Sequence, residues 1–294
     1  MAAHRTDGPT DEAIGASAAA IRSHYDAGND FYALWLDPTL TYSAALWDEP
    51  DLSLEEAQLR KLDFHVAAAG AAEARRVLDV GCGWGSLLER LTRVHGVERA
   101  VGLTLSEAQA AWVTARANPR VEVRLESWVD HAPAEPYDAI VTIGALEHFA
   151  RPEDDRKRKV ESYRRFFEHC RALLVPGGRL SLQTIAFGIG RYVPGTPVSR
   201  IFPESHLPRL DEIAAAADGV FEIERLRNDR SDYERTLTCW LERLRARRAD
   251  AVRIAGEERT AAYEEYLAFA RWGFEQGVFV LLRITMRALP LRRR

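Results

Sequence analysis

Cysteine is scarce in this 294-residue chain: Cys82, Cys170 and Cys239 show no paired spacing and no histidine cluster beside them. A disulfide scaffold and structural zinc are therefore not expected, no metal is assigned, and a reducing cytoplasm fits. No run of about 18 apolar residues occurs, so no membrane-spanning helix is expected. The first twenty residues include Asp7, Asp11 and Glu12 and lack the basic-then-apolar order of a signal peptide. Excess positive charge is missing too, and a net charge of −4 argues against a nucleic-acid partner. The terminal Leu291-Arg292-Arg293-Arg294 reads as a frayed, solvated end. What remains is an ordinary soluble composition, 47% hydrophobic and 29% charged, long enough for one large domain or a core with a cap.

The most informative stretch is Val77-Leu78-Asp79-Val80-Gly81-Cys82-Gly83-Trp84-Gly85. An apolar strand ends beside an acid, and alternate glycines turn the chain into a helix from Ser86 to Val94. Glycine is needed where φ must be positive or where a ligand lies on bare backbone. The spacing is not the dinucleotide pattern G-x-G-x-x-G, and no Lys-Ser or Lys-Thr pair follows as in a phosphate loop. The expectation is a nucleotide-type site at the carboxyl edge of an open α/β sheet, with no phosphate to cradle.

Strand and helix alternate from Arg76. Strands are expected at 76–80, 99–104, 121–126, 137–143 and 178–185, the last entered through the Pro176-Gly177-Gly178 turn. That order implies a parallel, doubly wound sheet. Before it, helices are expected from Ile14 to Tyr25 and from Asp30 to Leu36. Another runs from Leu54 to Ala69, capped by Asp51 or Ser53, with Leu59, Leu62, Val66 and Ala69 on its apolar side. Arg151 to Arg165 reads as a solvated loop entering a helix. Residues 187–218 collect glycine and proline and read as a loop-rich insertion with a short helix from Leu210 to Ala217. A strand from Phe221 to Leu226, helices near 232–253 and 257–274, and a strand from Val278 to Met286 complete the chain. The expected division is a helical cover over 1–70, an α/β core over 71–186, and a lid with completion of the sheet over 187–294.

Six collinear segments are His24-Tyr25-Asp26, Leu36-Asp37-Pro38-Thr39-Leu40-Thr41-Tyr42-Ser43, Val80-Gly81-Cys82-Gly83-Trp84-Gly85, Gly102-Leu103-Thr104-Leu105-Ser106-Glu107-Ala108-Gln109, Ile143-Gly144-Ala145-Leu146-Glu147-His148-Phe149, and Asp232-Tyr233-Glu234-Arg235-Thr236-Leu237-Thr238-Cys239-Trp240. Together they resemble the cyclopropane-fatty-acyl-phospholipid synthases and mycolic-acid methyltransferases, from about Ser23 to the end. The resemblance implies a class I methyltransferase fold: α/β, Rossmann-like, a mostly parallel seven-stranded sheet with an N-terminal helical cover and an inserted lid. It also implies S-adenosyl-L-methionine (SAM) as cofactor.

On that resemblance, Gly81, Gly83 and Gly85 let backbone approach the methionine part of SAM, and Asp79 holds donors in the loop. No acid ends the second strand at Gly102-Leu103-Thr104, so Gln109 is the candidate for the ribose hydroxyls, beside Thr104 and Leu105. Ser127 and Trp128 are placed at the adenine, and Ile143 ends the fourth strand against the cofactor. Tyr25 and Tyr42 are placed beside the sulfonium, where an aromatic face contributes on the order of 1–2 kcal/mol when water is excluded. Ser43 is placed on the cofactor carboxylate. Outside that frame Gln109 reads as an exposed helix residue, and Trp128 and the tyrosines as packing.

The family methylates an unactivated alkene through a carbocation. Its proton must pass to a close, oriented base in a dry site. Glu147 is assigned that role, with Tyr233 orienting it. In the cyclopropane-forming members the same glutamate belongs to a polar cage holding bicarbonate as base. Glu147, Ile185 and Tyr233 match the family, but Ala44 replaces the cysteine after T-Y-S and Gln183 replaces the histidine of L-L-H-T-I. Either Gln183 still donates a hydrogen bond and the anion stays, or Glu147 takes the proton itself. Loss of two contacts favours the second and puts bicarbonate in doubt. His148 reads as structural, because adjacent residues point in different directions, and Cys82 as packing. Aromatic residues late in the chain, among them Tyr192, Phe202, Tyr266 and Trp272, suit an apolar partner such as a lipid, isoprenoid or polyketide chain. The amino-terminal region lacks a basic amphipathic face for bilayers. The expectation is C-methylation of an alkene-bearing small molecule or lipid. The rivals are bicarbonate-dependent cyclopropanation, N-methylation of an amine, and SAM binding without catalysis.

Overall fold

The structure, a computed structural model, describes Gly15, Ser17 and residues 28–290. Apart from those two residues, the expected helix from Ile14 to Tyr25 lies outside the described residues, and Tyr25 with it. The apolar runs form β1 (Arg76–Val80), β2 (Arg99–Thr104), β3 (Val121–Leu125), β4 (Tyr137–Ile143), β5 (Leu174–Phe187), β6 (Phe221–Asn228) and β7 (Phe279–Ala288). They pair in the order β3-β2-β1-β4-β5-β7-β6; β1 to β5 are parallel, and β7 runs antiparallel between β5 and β6. The chain winds outward from β1 to β3 and returns to β4 on the other side of β1. That reversal opens a crevice at the carboxyl ends of β1 and β4.

The helices are α1 (Asn29–Tyr32), α2 (Leu54–Ala69), α3 (Ser86–Arg93), α4 (Glu107–Ala115), α5 (Arg156–Leu173), α6 (Pro197–Ile201), α7 (Leu210–Ala217), α8 (Arg230–Ala246), α9 (Arg248–Ala255) and α10 (Glu257–Glu275). Alternate side chains of β1 and β4 divide between the two sheet faces. Leu78, Val80 and Ile140 pack with Tyr163, Phe166 and Phe167 of α5, while Val77, Ala139 and Val141 pack with α2 and α3. A third cluster joins Phe31, Tyr32 and Trp35 to α8, α9 and α10. Among the described residues no helix is long and apolar enough to cross a membrane.

Ser53, not Asp51, caps α2: its hydroxyl accepts the Glu56 N–H, and the Glu56 carboxylate accepts the Ser53 N–H in return. Leu62, Val66 and Ala69 are buried, but Leu59 is only half-buried, and a polar stripe of Gln58, Lys61 and His65 turns inward beside them. β5 starts at Leu174, four residues earlier than the Pro-Gly-Gly turn suggests. That turn is a bulge inside the strand, where the register jumps from Tyr137–Leu174 to Ala139–Arg179. The helix expected near 232–253 breaks at Arg247, which redirects α9 so that Ala251 buries in the third cluster.

Candidate active site

The glycine run makes a tight loop between β1 and α3. The Gly81 and Cys82 N–H groups both donate to the Leu103 carbonyl of β2, at 3.0 and 2.9 Å, pinning the loop to its neighbour strand. Gly81, Gly83 and Gly85 have φ of 81°, 53° and 79°, a region that favours glycine. Their surroundings differ. A Cβ on Gly83 would meet nothing within 4 Å, so its bare backbone faces open space; on Gly85 it would lie 2.8 Å from Val113 Cγ2. Gly85 does not line the crevice, which corrects the expectation that it touches cofactor. It is small so that α3 can close on α4. Gly83→Ala should therefore weaken SAM binding about tenfold or more, read by calorimetry. Gly85→Ala should instead lower the melting temperature further than Gly83→Ala does, by the equivalent of about 1–3 kcal/mol of overpacking.

The crevice encloses about 150 Å³ and is lined by Tyr42, Ser43, Asp79, Gly81, Gly83, Thr104, Leu105, Gln109, Ser127, Trp128 and Ile143. Gln109 is buried, not an exposed helix residue: its Oε1 accepts the Thr104 hydroxyl at 2.7 Å, and its Nε2 has no partner among the described residues. A buried amide N–H without an acceptor costs on the order of 1–3 kcal/mol. A ribose hydroxyl oxygen would satisfy it, so this wall fits SAM. Asp79 does not clasp the loop as expected, since no loop N–H among the described residues donates to its carboxyl. Burial pushes that carboxyl up to about 7, partly opposed by the charge of Lys61. Trp128 serves both core and crevice, its ring packing on Phe149 and Phe166 at 5.3 Å between centroids.

The segment before α2 is held by its own aspartate. The Asp37 carboxylate accepts the N–H groups of Thr39 and Thr41, each at 2.9 Å, which keeps Leu40 at φ 55°. That clasp is the physical reason for the D-P-T-x-T spacing, and it presents Tyr42 and Ser43 to the crevice. Gln58 Nε2 donates to the carbonyls of Thr41 and Ser43 at 3.2 and 2.9 Å, and Lys61 Nζ donates to Ser43 Oγ at 2.7 Å.

A second, larger cavity of about 420 Å³ adjoins the first; Tyr42, Ser43, Gly144 and His148 belong to both walls. Its lining is aromatic and aliphatic, including Phe187, Tyr192, Phe202, Tyr266, Phe269, Trp272 and Phe274. Glu147 enters from the 3-10 turn Leu146–His148 that follows Gly144, and is 5% exposed. Its Oε1 accepts the Ile185 N–H at 2.7 Å, while Oε2 is buried with no partner among the described residues. Burial pushes the carboxyl up to about 7, against the pull of the Ile185 N–H and the nearby Thr184 hydroxyl. Tyr233 of α8 lies in the same wall, its ring 4.7 Å from that of Phe274.

Gln183 also reaches this cavity, yet its amide is already engaged. Oε1 accepts Arg283 Nε at 2.8 Å and faces His65 Nε2 at 3.3 Å, and Nε2 donates to the Ala44 carbonyl at 3.4 Å. It is a brace between β5 and the 41–45 segment, which corrects the reading in which it replaces a histidine donor to an anion. His148 stands at the junction of the two cavities with Nδ1 2.6 Å from Ser205 Oγ, a contact that fits its structural reading. Burial pushes its pKa down to about 4, leaving it neutral. Cys82 packs: its Sγ lies 2.7 Å from where a Gly102 side chain would begin.

Sequence reasoning missed the polar layer beneath both cavities. Arg283 of β7 has a fully buried side chain that ion-pairs with Asp229 and Asp232 and donates to the Ala45 carbonyl at 2.8 Å. The D-Y-E-R-T spacing then makes sense: Asp232 serves Arg283, Tyr233 faces the cavity, and Thr236 Oγ1 accepts the Ala45 N–H at 3.1 Å. The available signals were an arginine in the middle of an apolar strand and polar residues one turn apart on α2.

Comparison with known proteins agrees with this fold. A model of the mycolic acid cyclopropane synthetase family matches residues 14–284. Cyclopropane mycolic acid synthase 2 of Mycobacterium leprae (strain TN) is 34% identical over 275 residues, which is 84% of this chain and 86% of that protein. The solved structure of the cyclopropane synthase MmaA2 from Mycobacterium tuberculosis superposes with a TM-score of 0.83 at 31% identity, covering 94% of this chain and 100% of that one. The structure of mycolic acid cyclopropane synthase CmaA1 complexed with SAH and CTAB gives 0.84 at 32% identity, covering 93% and 99%.

Proposed function

The chain belongs to the mycolic acid cyclopropane synthetase family and is a SAM-dependent methyltransferase, and from that membership we propose that it methylates an alkene carbon of an apolar substrate, with Glu147 as the base. The observation that carries this reading is Glu147 Oε2, a buried carboxylate oxygen with no partner among the described residues, in an aromatic cavity adjoining the cofactor crevice. Glu147 is the one carboxylate among the described residues lining that cavity.

Bound SAM supplies a methyl group on positively charged sulfur. Tyr42 lies in the wall of both spaces, and Tyr233, Tyr266 and Phe274 line the larger cavity, an aromatic surrounding that favours a cation. The apolar lining excludes water that would quench such a cation. An alkene π pair taking that methyl would form the new carbon–carbon bond as the carbon–sulfur bond breaks, with neutral S-adenosylhomocysteine leaving and the neighbouring substrate carbon left positive. A C–H bond then breaks, its electrons closing a double bond or a ring, and the proton goes to Glu147 Oε2. The Ile185 N–H holds Oε1 and fixes the direction of the other oxygen. With Ala44 offering no side-chain donor and Gln183 braced by Arg283, this chemistry proceeds here without bicarbonate. The cyclopropane activity in the relatives' names supports ring closure as one outcome of the same step.

The test is turnover with SAM carrying a trideuterated methyl group, against unsaturated acyl chains, prenyl diphosphates and amines, with products weighed by mass spectrometry. Transfer to an alkene is expected, at a rate unchanged in bicarbonate-free buffer. A product keeping all three deuterons is a methyl branch, and one keeping two is a ring. Labelled amines alone overturn the reading, and a rate that needs bicarbonate restores the anion cage.

A further inference from the structure

Lys61 is 1% exposed, yet it lies in the wall of the cofactor crevice. Among the described residues no carboxylate lies within ion-pair distance of it, and its one hydrogen bond is to Ser43 Oγ at 2.7 Å. A buried ammonium without a counter-ion is unfavourable unless something arrives to pair with it. The charged groups facing it are Asp37 before α2, Asp79 of β1 and Arg283 of β7, with His65 one turn along its own helix. Asp37 is occupied by the Thr39 and Thr41 N–H groups, and Arg283 repels.

We infer that Lys61 is a cofactor-positioning residue, which fixes the carboxylate of the SAM amino-acid tail through Ser43. An ammonium only donates, so Ser43 Oγ accepts from Lys61 and its own hydroxyl proton is left to point elsewhere. Gln58 ties down the carbonyls of Thr41 and Ser43, so the serine cannot swing away from the crevice. The crevice wall thus carries the Lys61 amine with a hydroxyl relay, and the Asp79 carboxyl, each of which an opposite charge on the ligand would ionise. A tail bearing one carboxylate and one ammonium is the chemical complement of that pair. Sequence motifs point to Ser43 but not to the lysine behind it.

A charge consequence follows. Burial holds the Lys61 ammonium down to about 7, so much of it is neutral above that pH in the free enzyme. An arriving carboxylate favours the charged form. Binding at about pH 8 should therefore take up a proton from buffer at Lys61, and binding near pH 6 should take up none, because Lys61 is already charged and the ligand's ammonium drives a proton off Asp79.

The experiment is calorimetric titration with S-adenosylhomocysteine and with 5′-methylthioadenosine, which keeps the adenosine and lacks the amino-acid tail. Lys61→Met should weaken the first about 30-fold or more and the second by no more than about twofold, as for one lost charge-assisted hydrogen bond. Proton uptake, read from the dependence of the enthalpy on buffer ionisation, should vanish in the variant. If Lys61→Met does not fold, Ser43→Ala carries the same comparison and should show the same selective loss. Equal weakening of both ligands, unchanged affinity for S-adenosylhomocysteine, or no proton uptake by the unaltered enzyme overturns the assignment.

Discussion

Glu147→Gln should slow turnover about 10³-fold or more while leaving SAM affinity within a few-fold. General-base contributions run to roughly 10²–10⁴-fold, and the upper half applies here because the imidazole that also lines the cavity, His148, is a weaker base, its pKa pushed down by burial to about 4. The glutamine keeps the shape and can still accept the Ile185 N–H, so the cofactor crevice is undisturbed. Because burial raises the Glu147 carboxyl to about 7, the base is present above that pH and lost below it. The rate of the unaltered enzyme should climb through about pH 7 and then level, and the variant should lack that rise. Stability moves oppositely. A carboxyl raised in the folded state contributes stability that is complete below its unfolded value and is lost as pH rises through the folded one. Glu147→Gln should therefore melt with the unaltered enzyme near pH 4.5 and above it near pH 8, checked by thermal unfolding at both.

Arg283→Met should lower the melting temperature by about 10 °C. The guanidinium is fully buried and serves four groups at once: the carboxylates of Asp229 and Asp232, the Gln183 amide oxygen and the Ala45 carbonyl. Removing one side of a buried ion pair leaves the other uncompensated, at roughly 3–5 kcal/mol. In a chain of this size each kcal/mol moves the midpoint by about 2–4 °C. The loss should come from stranded charge and not from lost volume. Adding Asp229→Asn and Asp232→Asn to Arg283→Met should accordingly recover at least half of it, and a triple variant no better than the single would refute that cause.

Most of the site framework could be read from sequence because it is local. The glycine loop and the strand ends at Val80, Thr104 and Ile143 follow from patterns a few residues long, Glu147 follows from the family resemblance, and the parallel sheet brings them to one edge. What was not legible depends on partners far along the chain. Lys61 and His65 look like a solvated helix face until β5 and the 41–45 segment fold over them. Arg283 looks like an accident in an apolar strand until Asp229 and Asp232 arrive from the start of α8. Gly85 looks like its two neighbours in the loop, and only Val113 distinguishes it. The break at Arg247 carries neither glycine nor proline, so no local signal announces it. The Pro176-Gly177-Gly178 turn misleads in the opposite sense, because a strand can continue through a bulge.

The most direct test is single-turnover methyl transfer in bicarbonate-free buffer, comparing the unaltered enzyme with Glu147→Gln before and after bicarbonate is added back. Full-rate transfer to alkene carbon is expected without the anion, with a variant that stays slow whether or not the anion is present. Transfer at the unaltered rate in the variant, or its recovery on adding bicarbonate, would contradict the assignment of Glu147 as the base.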